Sequence, residues 1–111
     1  MNKLNNTLTK LIEISKAIGL NDADLNNARE YLIYNEYGLC FDTVVTQLYE
    51  YDIEINREFY ELIIQIAGML DLDESSYSFM RELINDGNTI PKIVKDELAV
   101  VMANLKIKKN E

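Results

Sequence analysis

The sequence predicts an all-α protein in which residues 1–111 form a single-domain bundle of five to six short helices. Three observations support this prediction. A chain of 111 residues is long enough to bury one modest core and too short for two. Its apolar fraction of 48% is ordinary for a globular domain. Only four Gly and one Pro interrupt the chain, so long helices joined by short turns are expected.

Apolar residues recur at helical spacing in six segments, at about 5–18, 22–34, 36–51, 56–70, 74–85 and 90–105. The apolar side of the first consists of Leu4, Leu8, Leu11, Ile12, Ile14 and Ile18. Gly19 follows it and can end a helix in the left-handed conformation. The second begins after Asn21 or Asp22, either of which is a good N-cap. Its inward residues are expected to be Leu25, Ala28 and Leu32, with Tyr31 as a further candidate.

The third and fourth segments occupy the middle of the chain. The apolar stripe of the third consists of Leu39, Val44, Val45 and Leu48. The fourth follows the N-cap Asn56 and is the most apolar, with Phe59, Leu62, Ile63, Ile66, Ala67 and Leu70. We therefore expect the 56–70 helix to be the central one. β-Branched residues at 43–46 and 53–55 allow short strands, but one or two such strands cannot make a stable sheet.

The last two segments are bounded by local signals. The fifth stops at Asp86-Gly87, and the sixth has Pro91 in its first turn. Residues 71–82 also match part of an EF-hand calcium loop, but Ser76 stands where that loop needs glycine. A helix starting at Asp73 explains the same residues more simply, so no metal site is predicted.

The composition argues against catalysis. The chain has no His, which removes the commonest general base near neutral pH and most zinc sites. Its four Gly lie far apart, so there is no phosphate loop. Cys40 is expected to be a buried, unreactive thiol. We predict no enzyme activity and no cofactor, and a carboxylate-dependent enzyme is the alternative.

The segment at the N-terminus does not have the pattern of a signal peptide, and no apolar run reaches the roughly 18–20 residues of a membrane span. One cysteine cannot form an internal disulfide. A cytoplasmic location, with no membrane contact, is therefore expected.

Negative charge is concentrated in the middle of the chain. The net charge is −8, from 19 acidic and 11 basic side chains. Residues 22–74 hold 13 of the acids, only Arg29 and Arg57 as cations, and six of the seven Tyr. Such a chain repels nucleic acid and attracts a basic protein. Acids and Tyr together suit an interface, and a solubilising face with half-buried Tyr rings is the alternative.

Short motifs in the same region resemble the MafI family of bacterial immunity proteins, which are related to the CdiI proteins of contact-dependent inhibition systems. They are the Glu36-x-Gly38 step, the Cys40-Phe41-Asp42 triplet, and the matching stretches 28–32, 34–42, 47–50, 59–62 and 67–72. The resemblance covers roughly residues 25–85. Family members commonly have Ala in place of Cys40, and the segment from about Ile90 lies outside the resemblance.

The resemblance implies a cytoplasmic antidote that binds the nuclease domain of a secreted toxin, in several cases an EndoU-type RNase. Glu36 is expected at a helix N-terminus and Gly38 where two helices approach closely. The alternative function is an acidic adaptor for another basic protein. No nucleic acid and no small-molecule substrate is expected as a ligand.

We expect the partner to dock on the acidic, Tyr-bearing middle of the chain. The candidate binding residues are Tyr34, Tyr37, Asp42, Glu50, Asp52, Glu54, Glu58 and Glu61. Several lie opposite the apolar stripes and can therefore reach solvent. Asp52 and Glu54 fall on the turn between the third and fourth helices.

Overall fold

Five α-helices account for most of the chain. A computed structural model describes residues 2–85 and 91–109, with side chains as far as Leu105. The α-helices are α1 (Lys3–Ala17), α2 (Asp22–Ile33), α3 (Tyr37–Glu50), α4 (Arg57–Met69) and α5 (Lys92–Lys109). Two short 3₁₀ helices, Glu74–Ser76 and Ser78–Leu83, lie between α4 and α5. In this part of the chain the β-type pairing is an isolated parallel bridge between Ile55 and Ile84. The predicted all-α bundle is confirmed.

Helix α1 is the centre of the bundle. It packs against all four other α-helices, whereas α4 packs mainly against α1 and α5. The prediction that the 56–70 helix is central is therefore wrong, although α4 buries a broad apolar face. The reason is that α1 also buries Thr7 and Ser15, polar residues that a count of apolar residues misses. The Thr7 hydroxyl donates to the carbonyl oxygen of Lys3 at 2.8 Å, which satisfies it within the helix.

One continuous core joins the helices. Its largest fully buried side chains are Phe41, Phe59, Leu8, Leu11, Ile12, Ile14, Leu25, Leu48, Ile55, Leu62, Ile63 and Ile66. Helix α5 begins directly after Pro91 and adds Val94, Leu98, Met102 and Leu105. Burying one such side chain stabilises the fold by about 1.5–3 kcal/mol. The core therefore fixes the orientation of α3, which carries three of the eight predicted binding residues, Tyr37, Asp42 and Glu50.

The first four α-helices end in the same way. The residue after each C-cap has a positive φ, and these residues are Gly19, Asn35, Asp52 and Asp71. At the end of α3, the N–H of Asp52 donates to the Tyr49 carbonyl oxygen and that of Ile53 to the Leu48 carbonyl oxygen, both at 3.0 Å. This pair of bonds is the Schellman motif, and it is repeated at the other three ends. The predicted helix end at Gly19 is confirmed.

Helix α3 buries a stripe different from the predicted one. Val44, Val45 and Leu48 are buried as predicted, but Leu39 is 47% exposed. Phe41 points into the core in its place, beside Cys40, whose predicted burial is confirmed. A shift of one residue rotates a side chain by about 100° around the helix. The predicted close approach at Gly38 is also wrong, because a Cβ atom there would meet open space.

The fifth predicted helix, 74–85, is replaced by the two 3₁₀ helices. Asp73 does start a helix, because its carboxylate accepts a hydrogen bond from the Ser75 N–H at 3.1 Å. The serines of this segment compete for backbone groups through their own side chains, which disfavours a regular α-helix. Tyr77, with a φ of −147°, separates the two short helices. The predicted stop at Asp86-Gly87 lies outside the described residues.

Candidate partner-binding surface

Seven of the eight predicted binding residues are exposed and Tyr37 is half-buried, but the eight do not form one cluster. The group at the α2–α3 turn is Tyr34 and Tyr37. The group at the opposite end of α3 is Glu50, Asp52 and Glu54. The remaining three are Asp42 in the middle of α3, and Glu58 and Glu61 on α4. Because α3 has 14 residues, it holds the first two groups about 20 Å apart.

The exposed side of α3 connects the two groups. We call it the α3 face, and it consists of Leu39, Asp42, Thr46, Tyr49 and Glu50, which follow helical spacing. From Leu39 to Glu50 it runs for about 17 Å along the helix axis. The α3 face therefore combines an aromatic ring and an aliphatic side chain with carboxylates beside them. Interfaces with an apolar centre and a polar rim have the same mixture. The sequence singled out two of these five residues as binding residues.

Tyr37 has a structural role. Its hydroxyl accepts a hydrogen bond from the Asn2 side-chain amide at 2.8 Å and donates one to Asn35 Oδ1 at 3.1 Å. These bonds tie the start of α1 to the α2–α3 turn. Tyr34, at the C-cap of α2, is 70% exposed and remains the better contact residue at this turn.

A polar groove of about 310 Å³ lies between α2 and α3, beside the α3 face. It is lined by Asp24, Asn27, Tyr31, Asp42, Thr43, Thr46 and Gln47. Asp24 Oδ2 accepts hydrogen bonds from Asn21 Nδ2 at 2.8 Å and from Gln47 Nε2 at 3.1 Å. The Thr46 hydroxyl approaches Asp42 Oδ1 at 3.5 Å. All these donors are neutral, so they orient the two carboxylates without cancelling their charge.

The other end of the α3 face is held by aromatic packing. The Tyr49 ring meets the Phe79 ring edge-to-face, with centroids 5.0 Å apart. Its hydroxyl donates to Glu82 Oε1 at 3.0 Å, and this bond and the charge of Glu82 raise the pKa of Tyr49. Tyr51, at the C-cap of α3, is 56% exposed. The sequence predicted the neighbouring Glu50 and Asp52 as binding residues but not Tyr49, whose pairing with Phe79 and Glu82 required the fold.

Two of the acids beyond α3, Glu54 and Glu58, have structural explanations. Glu54 Oε2 accepts a hydrogen bond from the Asn85 side-chain amide at 3.0 Å, next to the Ile55–Ile84 bridge. Glu58 lies in the first turn of α4, where a carboxylate stabilises the positive end of the helix dipole. Glu58 and Glu61 lie on α4, which packs mainly on α1 and α5 rather than on α3, so we leave them out of the candidate surface.

Cys40 does not belong to this surface. Its side chain is fully buried, and burial raises the pKa of the thiol to about 11. Asp73 is used as a helix cap, and the part of the chain described with side chains contains no group of three or more His, Cys, Asp or Glu placed to hold a metal ion.

The buried thiol leads to a prediction about reactivity. At pH 8, Cys40 should react with a disulfide reagent far more slowly in the folded protein than in the protein unfolded by urea. The thiolate is the reacting form, and the raised pKa leaves little thiolate in the folded state. The pKa of the Cys40 thiol in the folded protein exceeds the value of about 8.5 expected for an unfolded chain. The free energy of unfolding should therefore fall as pH rises from about 8.5 to about 11. Below about pH 8.5 this thiol should not make the stability depend on pH. The Cys40→Ala variant should lose that part of the pH dependence. Equally fast labelling of the folded and the urea-unfolded protein would contradict the assignment.

None of the helices in the described ranges 2–85 and 91–109 has the length and apolar composition of a transmembrane span. No family model matches this chain, and no curated protein or solved structure matches it either.

Proposed function

We propose that this protein is an immunity protein that binds a cognate basic toxin domain, an RNase of the EndoU type, and blocks its RNA-binding cleft. The observation that supports this best is the α3 face, a contiguous strip that combines carboxylates with Tyr49 and borders the Asp24–Asp42 groove. A cleft that binds RNA must be basic, and carboxylates spaced along a rigid helix can take the place of phosphates there.

Electrostatics should make the association fast. Residues 22–74 carry a net charge of −11, which attracts a basic domain over long range. Surface charges separated by more than the Debye length, about 8 Å at physiological ionic strength, are screened. The association rate should therefore fall as salt is added, while the dissociation rate depends on the contacts made by the α3 face.

Asp52 adds a carboxylate at the end of the α3 face, although its charge and its backbone conformation both lower the stability of the fold. It has a φ of +54° at the C-terminal end of α3, a conformation that glycine or asparagine adopts more easily. Its negative charge also lies near the negative end of the helix dipole. Asn35 fills the matching position of α2 without a charge. Asp71 fills it in α4 at the same cost, so the unfavourable position alone does not identify a functional residue; Asp52 is distinguished by lying at the end of the α3 face, two residues after Glu50.

This interpretation predicts opposite effects on stability and binding. Asp52→Asn should stabilise the fold by about 0.3–1 kcal/mol, because it removes an unfavourable charge from a helix C-terminus. It should also weaken toxin binding. Asp71→Asn is the matched control, since Asp71 has a φ of +58° at the end of α4 and is not near the α3 face. Urea unfolding and calorimetric titration measure the two effects, and equal affinities for the two variants would remove Asp52 from the surface.

Co-expression tests the function itself. The proposal predicts that a toxin domain is encoded immediately upstream of this chain's gene. When that domain is expressed with and without the chain, we expect the chain to restore growth. Failure to rescue, despite soluble expression of both proteins, would reject the immunity proposal. Tight binding of a basic protein other than that toxin, without rescue, would favour the adaptor function instead.

A further inference from the structure

A groove between α1 and α5 has no role in the proposed function. Its floor includes the half-buried Val101 and the buried Leu105, and Ile93 and Val100 of α5 are 69% and 60% exposed beside it. One part of the groove has a volume of about 690 Å³, and an adjoining part of about 250 Å³ extends towards Ile93. Helix α5 packs mainly on α1 and α4, so the groove is built from elements other than the α3 face.

The two exposed residues belong to one side of α5. Ile93 and Val100 are seven residues apart, so they project in the same direction, about 10.5 Å apart along the helix axis. The buried stripe that attaches α5 to the bundle consists of Val94, Leu98, Met102 and Leu105, with the half-buried Val101 packed against it. Helix α5 therefore has more apolar surface than its packing on the bundle uses. Adjacent exposed aliphatic side chains along a groove are typical of an interaction surface.

The charges around this groove favour a second copy of the same chain as its occupant. Two copies that approached through residues 22–74 would repel each other, because that segment carries a net charge of −11. The α1–α5 groove instead carries both signs, with Lys3, Lys10 and Glu13 on its α1 side and Asp96 and Glu97 on its α5 side. Some of these charges also have a partner on their own helix, because Lys10 Nζ lies 3.3 Å from Glu13 Oε1, and Lys92 Nζ lies 3.1 Å from Asp96 Oδ2. A surface with both signs around an apolar centre can be complementary to itself across a two-fold axis.

We propose that two copies of this chain associate through the α1–α5 groove, with Ile93 and Val100 of each copy packed against α5 of the other. In this arrangement the acidic segments lie away from the contact, and both α3 faces remain available to partners. The inference is independent of the toxin proposal, because it depends on a different surface. The dimer and the toxin complex should also respond to salt in opposite directions. Added salt should slow toxin association, whereas it screens the repulsion between the acidic segments and should tighten the dimer.

Sedimentation equilibrium of the full chain tests the proposal. We expect a mass of twice the 12.8 kDa chain at high-micromolar concentration, and a dissociation constant that decreases with salt. The double variant Ile93→Glu with Val100→Glu should weaken the dimer at least about 30-fold, because it places charges at the centre of the contact. Both positions are exposed, so circular dichroism should show that the variant keeps its helices.

Leu39→Glu is the control, since Leu39 is an exposed aliphatic residue on the α3 face. It should leave the dimer intact. A monomer at every concentration and salt would overturn the proposal, as would a dimer that resists the double variant or is broken by Leu39→Glu. Loss of toxin binding in the double variant, with no change in mass, would show that the groove holds the toxin instead of a second copy.

Discussion

Replacing Asp42 and Glu50 together by Lys is expected to weaken toxin binding at least about 100-fold and to abolish rescue in co-expression. Both residues lie on the α3 face and are exposed, so neither change disturbs the core. Truncating a charge that is desolvated in a complex costs about 2–5 kcal/mol, whereas a charge at the rim mainly changes the association rate. Charge reversal adds repulsion from the basic cleft to that loss.

The matched control replaces Glu58 and Glu61 of α4 by Lys. It changes the net charge of the molecule by the same amount and should therefore reduce long-range attraction equally. It leaves the α3 face intact, so the dissociation rate should remain close to that of the unmodified protein. Surface plasmon resonance separates the two rates. If the α4 pair lost affinity and the α3 pair kept it, the docking surface would be on α4.

Phe41→Ala should destabilise the protein by about 3–5 kcal/mol, which is a large part of the roughly 5–15 kcal/mol expected for a domain of this size. Phe41 is 1% exposed and is one of the largest buried side chains, so its removal leaves a cavity in the core. We expect the melting temperature to fall by more than about 10 °C. The measurement is thermal unfolding followed by circular dichroism.

Leu39→Ala, two positions earlier in α3, is the control for this prediction. Because Leu39 is 47% exposed and lies outside the buried core, the change should alter stability by about 1 kcal/mol or less. The two variants together test the rotation of α3 about its axis. A large loss for Leu39→Ala with little effect of Phe41→Ala would mean that α3 presents the opposite side to solvent.

Local signals in the sequence predicted the first four helices well. Asn21 and Asn56 cap α2 and α4 as expected, because an asparagine side chain needs only the N–H three residues later in the chain. The rotation of α3 was harder to predict. Leu39, Cys40 and Phe41 are consecutive and apolar, so two stripes one residue apart are both plausible until the helix is packed.

The candidate surface depended still more on tertiary packing. Asp24 and Gln47 are 23 positions apart, and Tyr49 and Glu82 are 33 positions apart, so only the packed structure places them in contact. Asp42 and Asp52 were predicted because they lie opposite or beyond the apolar stripes. The acids of α4 were included because they belong to the same acidic, Tyr-bearing segment, and the sequence does not show which helices are adjacent.

Cleavage of RNA by the purified toxin domain, titrated with this protein at physiological salt, tests the central claim most directly. We predict that cleavage stops at about one equivalent of protein per toxin domain, as expected when one rigid surface fills one cleft. The Asp42→Lys, Glu50→Lys double variant should require at least about a 100-fold excess for the same effect. Undiminished cleavage in the presence of a large excess of the unmodified protein would contradict the account.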